Sequence, residues 1–282
     1  MPAMQKLAEG ARRQLGEAQR GAMLAGSWTP DWRRKVEWLE GQRCPKTPEA
    51  AEQAAKCDDA LERLAWLRQR GYALGPGAVK EAAVRGDMAA LAYLLAEGAP
   101  ADDDAAAEAA GKGHLAALKA LRAAGRPVDA LWAAMGAALE GHLPVLVWLV
   151  EESGLELRLH YAIFARAVQC GSIELLEWLR ARGCPWEPQV EPEAEAEAGA
   201  TLGSALEYAA RGGHEPSIEW LAERGCPVPA DGMPYRRAAL NGDFATLRCL
   251  RRLGVPWGPP GALFRRCMAE GVRPEALRWL VA

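Results

Sequence analysis

The chain has no apolar run near the ~20 residues that a membrane-spanning helix needs, so nothing in it predicts insertion into a bilayer. Residues 1–20 mix Lys6, Arg12, Arg13 and Arg20 with Glu9 and Glu17 and hold neither an apolar core segment nor a serine. That pattern predicts no secretory or transit leader. The seven cysteines are odd in number and form no CxxC pair, which argues against a disulfide framework or a zinc ribbon. They are expected as reduced, packed thiols, which places the chain in the cytoplasm or nucleus. HExxH, Walker, GxSxG and GxGxxG motifs are all missing, so no catalytic residue, metal or cofactor is expected. His114, His142 and His214 lie 28 and 72 residues apart, a spread that predicts structural hydrogen bonding and not zinc ligation. A net charge of −3 favours neither nucleic acid nor a membrane surface.

What is present is one phrase, used nine times. It is a Trp-Leu-type pair, then three residues, then in most copies Gly-x-Pro. The pairs are Trp38-Leu39, Trp66-Leu67, Tyr93-Leu94, Ala120-Leu121, Trp148-Leu149, Trp178-Leu179, Trp220-Leu221, Cys249-Leu250 and Trp279-Leu280. Their leucines are spaced by 28, 27, 27, 28, 30, 42, 29 and 30 residues. A fixed period in that range denotes stacked supersecondary units, each burying its apolar face against the next.

Residues 104–127 show the physics of one unit. Asp104 to Lys112 reads as a short helix with Asp104 as N-cap. Gly113 can leave that helix in the left-handed conformation. A second helix begins at His114 and puts Leu115, Leu118 and Leu121 on one face. Gly125 ends it, and Pro127 prevents continuation. The inter-helix glycine recurs as Gly86, Gly113, Gly141, Gly171, Gly213, Gly242 and Gly271. Asp87, Ser172 and Asp243 follow three of them and are expected N-caps. Small pairs such as Ala82-Ala83, Ala109-Ala110 and Ala238-Ala239 precede most of them, which predicts close helix approach. Second helices are expected to end near Gly71, Gly98, Gly125, Gly154, Gly183, Gly225 and Gly254.

Ala-Ala-x-x-Gly-His, then Leu/Ile-x-x-Leu, Trp-Leu and Gly-x-Pro resembles the ankyrin repeat, in a short-period, Trp-containing form. The likeness covers roughly residues 28–282. The family's Thr-Pro-Leu-His opening is missing, Met233-Pro234-Tyr235-Arg236 coming nearest, and the period is below the usual ~33 residues. The resemblance implies an all-α solenoid of eight to nine helix-turn-helix repeats with abbreviated inter-repeat loops. Residues 1–27 would be an N-terminal helix or cap, and Thr29-Pro30-Asp31 an N-cap, first-position proline and first-turn acid for the next helix. An acidic insertion of five glutamates at 187–200 separates two repeats and reads as a mobile surface loop.

By the same resemblance the chain is a non-catalytic scaffold that binds a protein or peptide on a concave face. Contact residues are then expected just before the inter-helix glycines: Arg85, Lys112, Glu140, Gln169, Arg211 and Asn241. Arg237 and Arg266 join them, because both stand five residues before their glycine in a basic tail. Residues 231–282 carry 9 Arg against 4 acids, whereas 101–230 carry 10 Lys/Arg against 20 acids. The basic end suits an acidic peptide, and the acidic remainder opposes a long polyanion such as nucleic acid. A monomer is expected. Two alternatives stay open: a substrate-receptor or effector subunit, as in ubiquitin ligation, and a hydrolase or phosphodiesterase with an unrecognised site. The six tryptophans of the repeated pair are expected as inter-repeat core, where truncation to Ala costs ~3–5 kcal/mol.

Overall fold

A computed structural model of the chain describes residues 25–153, 157, 159–187 and 203–281. The N-terminal helix or cap expected before residue 25, the helix end at Gly154 and the acidic loop from residue 188 lie outside them. Among the described residues the fold is all-α, with 17 α-helices, one π-helical turn and no strand. The chain divides into two compact units, one ending at Asp129 and one starting at Ala130.

The first unit holds α1 (Trp32–Gly41), α2 (Glu49–Ala55), α3 (Ala60–Gln69), α4 (Pro76–Arg85), α5 (Met88–Ala96), α6 (Asp103–Gly111) and α7 (Leu115–Ala123). The second holds α8 (Ala130–Leu139), α9 (Leu143–Val147, running into a π turn at Trp148–Glu152), α10 (Tyr161–Cys170), α11 (Ile173–Ala181), α12 (Ala205–Gly212), α13 (Glu215–Glu223), α14 (Met233–Asn241), α15 (Phe244–Arg252), α16 (Ala262–Ala269) and α17 (Pro274–Val281). Within each unit the helices pair in order, and first helices pack on first helices: α2, α4 and α6 in one, α8, α10, α12, α14 and α16 in the other. The second helices follow beside them, α3 on α5 on α7 and α11 on α13 on α15. Each unit is thus a short solenoid of helix pairs.

Alanine makes the first row possible. Ala54-Ala55, Ala82-Ala83, Ala109-Ala110, Ala137-Ala138, Ala209-Ala210 and Ala238-Ala239 are all at 0% exposure. A methyl group occupies little space, so backbones approach closely and still exclude water. The second row is leucine. Leu64 and Leu67, Leu91 and Leu94, Leu118 and Leu121, Leu146 and Leu149, Leu176 and Leu179, and Leu247 and Leu250 are likewise at 0%.

The turns explain the spacing of the repeated phrase. After Gly71 turns left-handed (φ +84°), the Tyr72 N–H donates to the Leu67 carbonyl at 3.1 Å. The same bond joins Ala99 to Leu94, Cys184 to Leu179, Cys226 to Leu221 and Val255 to Leu250. This closure satisfies carbonyls that the helix leaves orphaned, and it seats a small or apolar residue against the helix end. Cys184 and Cys226 fill that seat, and burial pushes both thiols up to about 12. All seven cysteines are free; Cys44 and Cys170 are half-buried and the other five are buried.

Arg43 stands where later repeats have the glycine, and it adopts φ +59°, the left-handed exception to glycine among the described residues. A Cβ is disfavoured there, so Arg43→Gly is expected to raise stability by about 0.5–1 kcal/mol. A higher urea midpoint at unchanged slope is the expected readout; a lower midpoint would contradict it.

Several boundaries differ from expectation. The helix after Thr29-Pro30-Asp31 starts at Trp32, with Asp31 as N-cap. The Thr29 hydroxyl bonds the Asp31 carboxylate instead of the helix backbone. The α6 N-cap is Asp102 and not Asp104, and its side chain makes no capping bond. Asp87, Ser172 and Asp243 do cap α5, α11 and α15, bonding Ala90, Leu175 and both Ala245 and Thr246.

The tryptophan expectation needs the larger correction. Trp38, Trp66, Trp178 and Trp279 are half-buried, and only Trp148 and Trp220 of that slot are buried. Leu39, Leu67, Leu149, Leu179 and Leu221 are buried while Leu280 is not, so in most pairs the leucine takes the core position and the indole lies beside it. There it stacks with a guanidinium four residues on: Arg70 over Trp66 at 4.6 Å, Arg182 over Trp178 at 4.1 Å and Arg224 over Trp220 at 4.4 Å. Each of those arginines also pairs with a glutamate of the preceding helix pair, Glu40, Glu151 and Glu177 respectively. The stack sheathes the leucine row with planar cations that join successive repeats.

Candidate protein-binding face

The eight expected contact residues fall on the ends and outer surfaces of first helices, and the two units hold them separately. In the first unit, Arg85 ends α4 and Lys112 follows α6; both are exposed. Arg85 Nη2 donates to Asp58 Oδ1 at 3.0 Å.

The second unit carries the other six. Gln169 lies in the last turn of α10, Arg211 in that of α12, and Asn241 ends α14. Two contacts bring these helix ends into one row. The Asn241 amide donates from Nδ2 to the Arg211 carbonyl at 2.9 Å. Gly212 approaches the Gln169 carbonyl so closely that a Cβ there would stand 2.5 Å from it. His214 also lies against Gly212. Gln169 is half-buried, and its side-chain Oε1 is buried without a partner among the described residues. Glu140, beyond α8, is exposed.

The basic tail is less available than its composition suggests. Arg237 donates from Nε to Glu207 Oε1 at 2.7 Å, and the Glu207 side chain is only 10% exposed. Arg236 makes a two-pronged pair with Glu270, whose carboxyl those hydrogen bonds hold below its ordinary value. Arg252 pairs with Glu219, and Arg251 lies over Trp279 at 5.8 Å. Arg211 and Arg266 are exposed and form no close ion pair among the described residues, although the Arg266 charge helps to hold the Glu270 carboxyl below its ordinary value; Arg266 reaches the Met233 sulfur at 3.5 Å. A cavity of about 50 Å³ lies among Gly203, Glu207, Tyr208, Arg211 and Arg237. It is too small for a ligand and is walled by the Glu207 carboxylate, so it is no anion pocket. Glu207 and Glu270, which decide which arginines are spent, could not be found from spacing, because each lies 30 or more residues from its partner.

The histidines act by packing and do not cap their helices. The His114 ring lies so close to Gly86 that a Cβ there would be 2.6 Å from Nδ1, and His214 meets Gly171 at 2.5 Å. Neither these two nor His142 makes a side-chain capping bond. His160 does: its Nδ1 accepts from the Ala162 N–H at 3.1 Å and starts α10. Among the described residues no group of three or more His, Cys, Asp or Glu is placed to hold a metal. No described helix is long and apolar enough to cross a membrane.

With this geometry in place, the chain can be set beside known proteins. It resembles an ankyrin repeat domain. The crystal structure of the human ASB11 ankyrin repeat domain aligns with it at 22% identity and a TM-score of 0.47, covering 67% of this chain and 96% of that one. No family model matches the chain, and no curated protein does. The helix-pair reading stands on the chain's own features: the buried alanine row, the buried leucine row and the left-handed glycines between them.

Proposed function

We propose that this chain is a non-catalytic recognition module that holds a protein or peptide against the first-helix ends of its second unit. The observation that carries the reading is the row Gln169, Arg211 and Asn241, linked helix to helix by the Asn241–Arg211 bond and the Gly212–Gln169 approach. Polar side chains held on a packed frame bind with little loss of ordering entropy. Arg211 and Arg266 offer exposed guanidinium groups held in no close ion pair among the described residues, which favours an acidic ligand through two-pronged contacts. Arg237 is already committed to Glu207 and serves the frame. Glu140 extends the row at its acidic side, and Arg85 and Lys112 offer the equivalent positions in the first unit. The protein is read as a monomer with no cofactor.

The test is capture from native lysate by wild type and by Arg211→Glu/Arg266→Glu, with circular dichroism confirming that both fold. Arg237 is left alone, because reversing it beside Glu207 would disturb packing. A partner whose recovery falls about tenfold or more with the variant supports the reading. Equal recovery by both baits sinks it.

A further inference from the structure

A second surface, in the first unit, has a different chemistry. A cleft of about 450 Å³ opens between the start of α1 and the start of α3, within the size range of ligand sites. Trp28 and Trp32 line it together with the carboxylates of Asp58, Asp59 and Glu62 and the guanidinium of Arg33. The floor is Arg63, at 4% exposure. Its Nη1 donates to the carbonyls of Ala25 and Ser27 at 2.7 and 2.8 Å, and its Nε to Asp59. Its guanidinium lies 4.7 Å from the Trp32 ring centre. A buried cation held by these partners makes a rigid floor and not a ligand group.

The two indoles differ in how far they are used. Trp32 is buried at 4% and has Trp66 edge-on at 5.1 Å. Trp28 is 71% exposed, and among the described residues no ring or guanidinium covers it. Elsewhere the chain repeatedly places a guanidinium on an indole, on Trp32, Trp66, Trp178, Trp186 and Trp220. The carboxylates keep capacity as well. Asp58 pairs with Arg85 and Glu62 with Arg33, yet their side chains are 86% and 59% exposed. Each carboxylate accepts several hydrogen bonds, and surface pairs of this kind exchange partners at little cost.

We infer that this cleft receives a cationic side chain, arginine or lysine, from a partner protein, with its charge over the Trp28 indole and its N–H groups on Asp58 and Glu62. The site is independent of the acidic-ligand row in the second unit and takes the opposite charge. Cation–π attraction at an exposed indole is weak, so one isolated side chain is expected to bind with an apparent Kd no tighter than the order of millimolar.

The experiment titrates the full chain with acetyl-Gly-Arg-Gly-amide and with its citrulline counterpart, which keeps shape and loses charge. The readout is the Trp28 indole N–H in a nitrogen-15 spectrum, assigned by its disappearance in Trp28→Phe. The arginine peptide is expected to move that signal saturably, the citrulline peptide to leave it in place, and Asp58→Asn/Glu62→Gln to weaken the arginine response roughly fivefold. Because the signal is local, arginine held by acidic segments elsewhere does not register. A stationary Trp28 signal, equal movement with citrulline, or an unchanged response in the neutralised variant each overturns the proposal.

Discussion

Gly171→Ala is expected to destabilise the second unit by about 3 kcal/mol, much more than a lost glycine ordinarily costs. Two effects add. The residue sits at φ +85°, where a side chain costs about 1–2 kcal/mol. The new Cβ would also stand 2.5 to 2.8 Å from three atoms of the His214 ring, an overlap that a packed core relieves only by shifting, at about 1–3 kcal/mol. Gly183→Ala separates the two. Its φ is +78°, but a Cβ there meets nothing within 4 Å, so only the backbone cost of about 1–2 kcal/mol is expected. Removing the obstacle completes the cycle: in Gly171→Ala/His214→Ala the penalty of the alanine should fall to the Gly183→Ala level. Denaturant unfolding of wild type, Gly171→Ala, Gly183→Ala, His214→Ala and the double variant measures it. If Gly171→Ala proves no worse than Gly183→Ala, the histidine–glycine contact is not a structural rung, and the Gly-His pairing needs another explanation.

Leu179→Ala is expected to cost about 3–4 kcal/mol, and Trp178→Ala, its larger neighbour, only about 1–2 kcal/mol. Bulk alone suggests the reverse order. Leu179 is at 0% exposure in the middle of the leucine row, and its carbonyl closes the turn to Cys184. Truncation leaves a cavity that the stacked helices cannot collapse to fill. Trp178 is half-buried, with Arg182 lying over its face. Its loss forfeits partial apolar cover and one cation–π contact, and water can occupy the gap. Unfolding free energies of the two variants, compared with wild type, decide the order. A Trp178→Ala penalty equal to that of Leu179→Ala would return the indole to the core.

The sequence alone determined the helix pairs and their punctuation. Gly-x-Pro after Trp-Leu, and Gly-His after Ala-Ala, are local signals: a left-handed residue, a missing N–H and a capping oxygen act within one turn of chain. Alanine and leucine at 3–4-residue spacing likewise announce two buried rows, because a helix presents those positions on one side. The candidate row was legible in part, since Gln169, Arg211 and Asn241 stand one or two residues before their inter-helix glycines and the fold brings the helix ends bearing them together. Tertiary structure decided everything that depends on partners about 30 residues away. It left Trp38, Trp66 and Trp178 half-buried, because a leucine already held the core place beside each of them. It spent Arg236 and Arg237 on Glu270 and Glu207, and left Arg211 and Arg266 out of any close ion pair among the described residues. It turned histidines expected to hydrogen-bond into packing pieces against Gly86 and Gly171. Trp28 and the carboxylates of the first unit's cleft likewise became neighbours only when α1 and α3 packed together. Charge and aromaticity are written along the chain, but which of them meet is set by the stacking of one repeat on the next.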